Sequence, residues 1–201
     1  MSRMVFLLEE PSMKHLLQGL LPRLMPNLNF LCIPHEGKTD LERSIPRKLK
    51  AWNEPGDRFV IVRDNDNGDC LGLKKRLRTL CEQGGHSAAL IRLPCQELEA
   101  WYLGDLKALA DAYACPRLAR LTDKAKYRNP DAISKPAEVI EKLVPEFQKQ
   151  TAARRMGTRL SEEDNLSRSF QVFLAGVRRL AAEMGCGPEV GFAGVQSDLE
   201  R

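Results

Sequence analysis

Short continuous apolar runs alternate with stretches whose apolar residues recur at helical spacing. Residues 5–8 (VFLL) are a run of the first kind, as expected of a strand buried on both faces. Beyond Pro11-Ser12, Leu16, Leu17, Leu20, Leu21 and Leu24 mark one face of a helix that stops by Pro26. Residues 29–33 (NFLCI) read as a second strand. Residues 40–52 place Leu41, Ile45, Leu49 and Trp52 on one stripe, and Pro46 within it predicts a kink or a late start. Residues 58–62 (RFVIV) are the clearest strand, and they run into a polar turn over 63–69. A basic amphipathic helix follows over 71–83, stopped by Gly84-Gly85. Residues 88–93 (AALIRL) read as a fourth strand, and 97–103 begin another helix after Pro94. Strands separated by helices in this way predict an α/β fold, with a mostly parallel sheet of about four strands flanked by helices.

Beyond Tyr113 the pattern changes, and no strand is predicted. Residues 117–128 are basic, and Asn129-Pro130-Asp131 signals a turn. Residues 137–144 and 167–184 read as helices, the second following the cap residue Asn165. The tail from Gly185 is Gly-rich and reads as loose. The expected organisation is an α/β core over 1–113 and a helical extension over 114–201 packed on it, together one structural domain.

The 201 residues, 43% hydrophobic and 29% charged, suffice for one core and are too apolar for disorder. Lys and Arg number 31 against 27 Asp and Glu, a net charge of +4 that allows a polyanionic partner without demanding one. No run approaches the ~18 apolar residues of a membrane span, and the first apolar run is too short for a signal peptide. The expectation is a cytoplasmic protein with no membrane association, with homo-oligomerisation left open. The six cysteines form no CxxC pair, which points to thiols filling core space rather than to zinc.

Candidate chemistry lies in the residues that follow the strands, because open parallel sheets bind ligands at the strands' carboxyl ends. Glu9 and Glu10 follow the first strand. Asp64, Asp66 and Asp69 follow the third, in RDNDNGD. Glu97 and Glu99 follow the fourth, in PCQELEAW. Carboxylates held together repel and raise one another's pKa unless a cation neutralises them, and hard oxygen donors suit Mg²⁺ or Mn²⁺. Asp64 and Asp66 share one side only where the chain turns, which Gly68 assists. Each acid alone has a plain reading: Glu9 and Glu10, or Glu97 and Glu99, as acids of a helix's first turn. DNDNGD does not complete a calcium loop, since Lys75 stands at its last position.

An acid ending the first strand and a DxD ending a later one resemble the Toprim domain of topoisomerases, primases and OLD-type nucleases. The matching stretches are VFLLEEPSMKHLL and VIVRDNDNGDC. The blocks LLEEPSMKHLL, IPHEGKTDLERSIPRKL, RFVIVRDNDNGDC, LPCQELEAWYLGD and NLSRSF look like a family of small Toprim-like proteins of unknown function, over residues 4 to 180. Genes of that family commonly stand beside genes for ABC- or OLD-type ATPases. The resemblance implies a Toprim-like Rossmannoid fold, Mg²⁺-dependent cleavage of nucleic acid, an ATPase partner and a place in anti-phage defence. By position it puts the Toprim glutamate on Glu9 and the paired aspartates on Asp64 and Asp66. It puts a further acid on Glu99, with Glu97 the second choice. Glu10 stands where Toprim glutamates are followed by Gly, either as an altered backbone or as an extra ligand. The alternative to a nuclease is a non-catalytic Toprim-like subunit docking on an ATPase. A third option makes Asp64 an aspartyl-phosphate acceptor.

Lys38, in HEGKT after the second strand, is a candidate phosphate contact and catalytic residue, or part of a polar loop. The stretch lacks the leading Gly of a P-loop. His35 is the histidine expected nearest the site, as a general base or a loop residue. The runs Arg117-Arg120-Lys124-Lys126-Arg128 and Arg154-Arg155-Arg159 either track a phosphate backbone or form solvated faces. Trp52, Trp101 and Tyr102 fall on apolar stripes and read as core. Asn165 to Phe170 reads as a cap and helix whose Phe170, Phe173 and Leu174 pack inward.

Overall fold

The computed structural model describes residues 2–186. The tail read as loose lies outside them from residue 187 onward. Four parallel strands, β1 (Met4–Leu8), β2 (Phe30–Pro34), β3 (Arg58–Val62) and β4 (Leu90–Arg92), form one sheet in the order β2-β1-β3-β4. Their register is level: Leu8 pairs with Pro34 and with Val62, and Val62 pairs with Arg92. The loops that leave the strands therefore emerge at one height. The strands come where the apolar runs predict them, although β4 is trimmed to three residues.

Each strand is apolar at successive positions because both sheet faces are covered. Val5, Leu7, Phe59, Ile61 and Ile91 meet α2 (Lys38–Lys50) and α3 (Cys70–Gln83) through Leu41, Ile45, Leu49, Leu77 and Cys81. Met4, Phe6, Leu8, Val60 and Val62 face the other layer. It holds α1 (Pro11–Leu24), α4 (Glu99–Gly104), α5 (Leu106–Ala112), α6 (Pro136–Leu143), α7 (Lys149–Gly157) and α8 (Arg168–Glu183). The helical extension thus shares its core with one face of the sheet. Phe170, Phe173 and Leu174 pack inward there as expected, with Phe173 beside Phe6 and Trp101. Trp101 and Tyr102 are buried. Trp52 is half-buried against Phe59, its indole N–H donating to Asp57.

Two helices depart from the pattern. α2 starts at Lys38 rather than near 40 and runs through Pro46, whose missing N–H costs one helical bond that packing of Leu41, Ile45 and Leu49 offsets. α7 was not predicted, because its buried face is Ala152, Ala153, Met156 and Gly157, too small and weakly apolar for a stripe. It docks backbone to backbone on α1. A Cβ on Gly157 would meet the Leu16 carbonyl oxygen at 2.6 Å, and one on Gly19 the Gly157 carbonyl carbon at 2.9 Å. That contact fixes the first residue of α7, Lys149, against the sheet's carboxyl edge.

The cap of α8 is Ser167, which accepts from the Phe170 N–H at 3.2 Å, rather than Asn165. Asn165 braces the turn from inside, donating to the Trp101 carbonyl and accepting from the Ser167 N–H, both at 2.9 Å. Asp131 binds the same turn through Ser167 Oγ and the Ser169 N–H. The NLSRSF block is thereby accounted for as a helix start. Cys32 and Cys81 are buried thiols that burial pushes up to about 12 and about 11, which keeps them protonated. No helix among the described residues is long and apolar enough to cross a membrane.

Candidate functional site

Backbone hydrogen bonds lace the loops beyond the strand ends into one surface. Glu9 N–H donates to the Val62 carbonyl at 3.1 Å, His35 N–H to Leu8 at 2.9 Å, Asn65 N–H to Pro94 at 3.2 Å and Asp66 N–H to Gln96 at 2.9 Å. The residues after β1, β3 and β4 are thus held side by side, as the strand register requires.

Glu9 sits at the centre. Its Oε2 accepts the Asp64 N–H at 2.9 Å, and Arg63 Nε stands 4.0 Å from the same oxygen. Arg63 also donates to Glu42 at 2.6 Å, and Glu42 pairs with Arg76. Burial raises the Glu9 pKa, with Asp66 and Glu10 adding and the Asp64 N–H and Arg63 opposing.

Asp64 is 5% exposed, and its Oδ1 has no hydrogen-bond partner. Burial, then Glu99, Glu9 and Glu10, raise it well above the carboxylate range, with Lys149 opposing. Glu99 is fully buried and both of its oxygens lack hydrogen-bond partners. Its carboxyl is pushed to about 7 by burial, with Lys149 lowering it and Glu10 raising it. Tyr102 completes the floor. Its hydroxyl is buried and unpartnered, and burial together with Glu99, Glu10 and Asp64 holds the phenol in its protonated form. Leaving such atoms unpaired costs about 1–3 kcal/mol each, so this pocket is under electrostatic stress.

The cation facing these acids is Lys149, with Nζ 4.0 Å from Glu99 Oε1. Burial works against its charge, but Glu99, Glu10, Asp64 and Glu97 more than offset this and raise its pKa. Neither Lys149 nor Tyr102 was singled out for the site from sequence. Lys149 opens a helix with no stripe, and Tyr102 reads as core. The signal available was only that ELEAWY places Glu99 and Tyr102 three apart on one helical face.

The remaining candidates divide. Asp66 lies in the left-handed region (φ 51°), is largely exposed, and pairs with Lys38 at 3.2 Å, still close enough to raise Glu9. Lys38 therefore stands on the site's outer rim, tied to the DxD turn. Glu10 approaches Asp64, Glu99 and Lys149 while accepting from Ser12 Oγ. Asp69 is a helix cap: its two oxygens accept the Leu71 and Gly72 N–H groups at 2.9 and 3.0 Å. Glu97 accepts the Ala137 N–H at 2.9 Å at the start of α6, and it adds charge near Glu99. Of seven acids singled out, Glu9, Glu10 and Glu99 gather round Asp64, Asp66 borders Glu9, and Asp69 and Glu97 hold helix ends.

His35 is buried beside β1, its Nδ1 2.9 Å from the Leu8 carbonyl oxygen. That oxygen only accepts, so Nδ1 is a donor there, and Nε2 has no hydrogen-bond partner among the described residues. His86 meets Phe59 edge to face, and His15 contacts Arg154. The later basic runs are partly structural: Arg117 donates to the Leu143 carbonyl, Arg155 to that of Ala112 while lying over Tyr113. As an aspartyl-phosphate acceptor, Asp64 is shielded by its burial.

The donor set suits a hard divalent cation, since the oxygens without hydrogen-bond partners include carboxylate oxygens of Asp64 and Glu99, near Glu10. As the side chains stand, no three Asp, Glu, His or Cys groups among the described residues form a ready cage.

No curated protein and no solved structure matches the chain. A family match runs through the strands, the DxD turn, the ELEAW segment and the NLSRSF turn just described, over residues 8–178. This chain belongs to the family described as domain of unknown function (DUF4276).

Proposed function

We propose that the chain binds Mg²⁺ or Mn²⁺ between Asp64, Glu99 and Glu9, with Glu10 and Asp66 alongside, and hydrolyses phosphodiester bonds in nucleic acid. The observation that carries this reading is the unpartnered buried oxygens of Asp64, which follows β3, and of Glu99, the first residue of α4, with Glu9 from the end of β1 also beside Asp64. Burying charge without a counter-charge is costly enough to need a proton or a cation. Burial and mutual repulsion push Glu99 to about 7 and raise Asp64 and Glu9, and a divalent cation among them would relieve that repulsion. When bound, the cation supplies Lewis acidity and a nucleophilic water at neutral pH.

The chain's own residues have separable roles. The Asp64 N–H and Arg63 fix the Glu9 carboxylate. Lys149, half-exposed at the mouth, neutralises charge developing on the scissile phosphate. Lys38 steadies the Asp66 turn and meets phosphate at the rim. The Toprim resemblance supports the same assignment of Glu9, Asp64 and Asp66, and with it an ATPase partner of ABC or OLD type and a defensive role. A second reading, a non-catalytic subunit that docks on an ATPase, draws on one observation: the acids are gathered but form no ready cage.

The test is cleavage of plasmid DNA, single-stranded DNA and RNA by the purified chain in Mg²⁺, Mn²⁺ or chelator, with melting followed in parallel. Cleavage that requires the metal and disappears in Asp64→Ala, together with a metal-induced rise in melting temperature, is the expected result. Full activity in folded Asp64→Ala overturns the assignment. No melting shift at millimolar metal favours the docking subunit.

A further inference from the structure

Apart from the acidic site, α3 and α8 flank the outer edge of β4, and a cleft of ≈ 280 Å³ opens between them. Four basic side chains line it: Lys74 and Arg78 from α3, Arg92 from β4 and Arg179 from α8. No acid lines it among the described residues. Among the described residues, the one carboxylate paired with any of the four is Glu183, 3.8 Å from Arg179, and both partners of that pair are exposed. A pair of that kind neutralises little.

Arg92 is planted there. Its Nε donates to the Val172 carbonyl at 3.0 Å and its Nη1 to the Ile91 carbonyl at 2.8 Å. It lies flat on α8 where Gly176 leaves room, since a Cβ on Gly176 would meet Nη2 at 2.1 Å. Nη2 makes no hydrogen bond among the described residues. Burial, and Arg179 beside it, lower the Arg92 pKa, as expected of a cation whose nearest charged neighbour is another cation. Four positive groups gathered without a counter-charge repel one another unless an anion is present.

The lining favours a phosphate over an acidic strand added to the sheet edge. The Arg92 carbonyl turns toward β3, where it accepts the Arg63 N–H at 3.3 Å, so alternation turns the Ile91 peptide groups outward. The outward Ile91 carbonyl is already occupied by Arg92 Nη1. Within β4, whose ladder is only three residues long, the edge thus offers an added strand no free acceptor. What remains are donors: guanidinium and ammonium groups and the Ile91 N–H. Such a set matches a group that only accepts, a phosphate oxygen above all.

We propose that the cleft bounded by Lys74, Arg78, Arg92 and Arg179 at the free edge of β4 is a phosphate-binding site. Free inorganic phosphate and the backbone phosphates of a nucleic-acid strand share the chemistry it recognises. The site needs no metal and is independent of the acidic cluster.

The experiment uses the full chain in chelator, so failure of the metal reading leaves it intact. Binding of inorganic phosphate is measured by calorimetry, and binding of a fluorescent oligothymidylate by anisotropy over a salt series. An oligoglutamate peptide serves as the carboxylate control. The variants are Lys74→Gln/Arg78→Gln, at α3 positions outside both hydrophobic core clusters, and Arg179→Gln. A backbone-phosphate site predicts that the double variant weakens oligonucleotide binding at least tenfold and reduces its log–log salt slope by about 1.4, at about 0.7 per lost single-strand contact. A free-phosphate site predicts a measurable phosphate affinity, absent from both variants, with no oligonucleotide effect. Unchanged phosphate and oligonucleotide binding in both variants overturns the proposal. So does a failure of both phosphate and the oligonucleotide to bind the unmodified chain, or binding of oligoglutamate alone.

Discussion

Replacing Glu99 by Gln removes a fully buried carboxyl of the acidic site while keeping its shape. The native carboxyl sits near 7 instead of its ordinary 4.5, because burial and then Glu10 and Glu97 outweigh Lys149. A carboxyl raised in the folded state binds its proton more tightly there than in the unfolded chain. Its contribution to stability is therefore complete below about pH 4.5 and is lost as pH rises through about 7. At about 1.4 kcal/mol per pH unit between those two values, the loss is about 3 kcal/mol. Glu99→Gln does not suffer it. The variant carries an unpartnered amide, but that cost is the same at every pH and cancels when the gap between the two proteins is compared at pH 5 and pH 8. Asp64, relieved of the Glu99 charge, shifts the gap further in the same direction. Urea unfolding of both proteins in chelator should show Glu99→Gln gaining about 2–3 kcal/mol on the parent between pH 5 and pH 8. At pH 8, millimolar Mg²⁺ should restore the parent more than the variant. A gap unchanged between the two pH values, or one that moves against the variant, refutes the placement of an ionised carboxylate in that pocket.

Further outcomes follow from neighbouring contacts. Lys149→Met should leave the fold intact, reduce metal-dependent cleavage at least 100-fold, and move the Glu99 titration higher, since Lys149 is the cation holding it down; an activity–pH profile and an NMR titration of the carboxyl check both. Asp69→Ala should cost about 1 kcal/mol by removing the α3 cap and leave Mg²⁺ affinity unchanged; a fall in Mg²⁺ affinity would make Asp69 a ligand instead. Gly157→Ala should destabilise the protein by about 1–3 kcal/mol, because its Cβ would stand 2.6 Å from the Leu16 carbonyl oxygen. Loosening α7 there should also release Lys149, so cleavage should fall along with the urea midpoint.

Much of the sheet was legible because its signal is local. RFVIV and VFLL can bury such runs only as strands covered on both faces, and the helices between them force parallel pairing. The acids after β1, β3 and β4 follow from the same logic, since level strand ends deliver Glu9, Asp64 and Glu99 to one edge. Which acids serve and which only cap could not be read from their spacing. Asp69 lies five residues beyond Asp64, yet its oxygens hold the start of α3, and Glu97, two residues from Glu99, is held by the Ala137 N–H across the fold.

The pattern along the chain alone determined a parallel α/β sheet, its layers and the edge where carboxylates collect, because hydrophobic period and strand direction belong to neighbouring residues. Only the tertiary structure brought Lys149 against Glu99, left the oxygens of Asp64 and Glu99 without partners, and gathered Lys74, Arg78, Arg92 and Arg179 beside β4. Those features depend on distances between segments far apart in sequence. Small residues set such distances: Gly157 lets α7 settle on α1, and Gly176 leaves room for Arg92 on α8, and neither leaves a hydrophobic pattern to read.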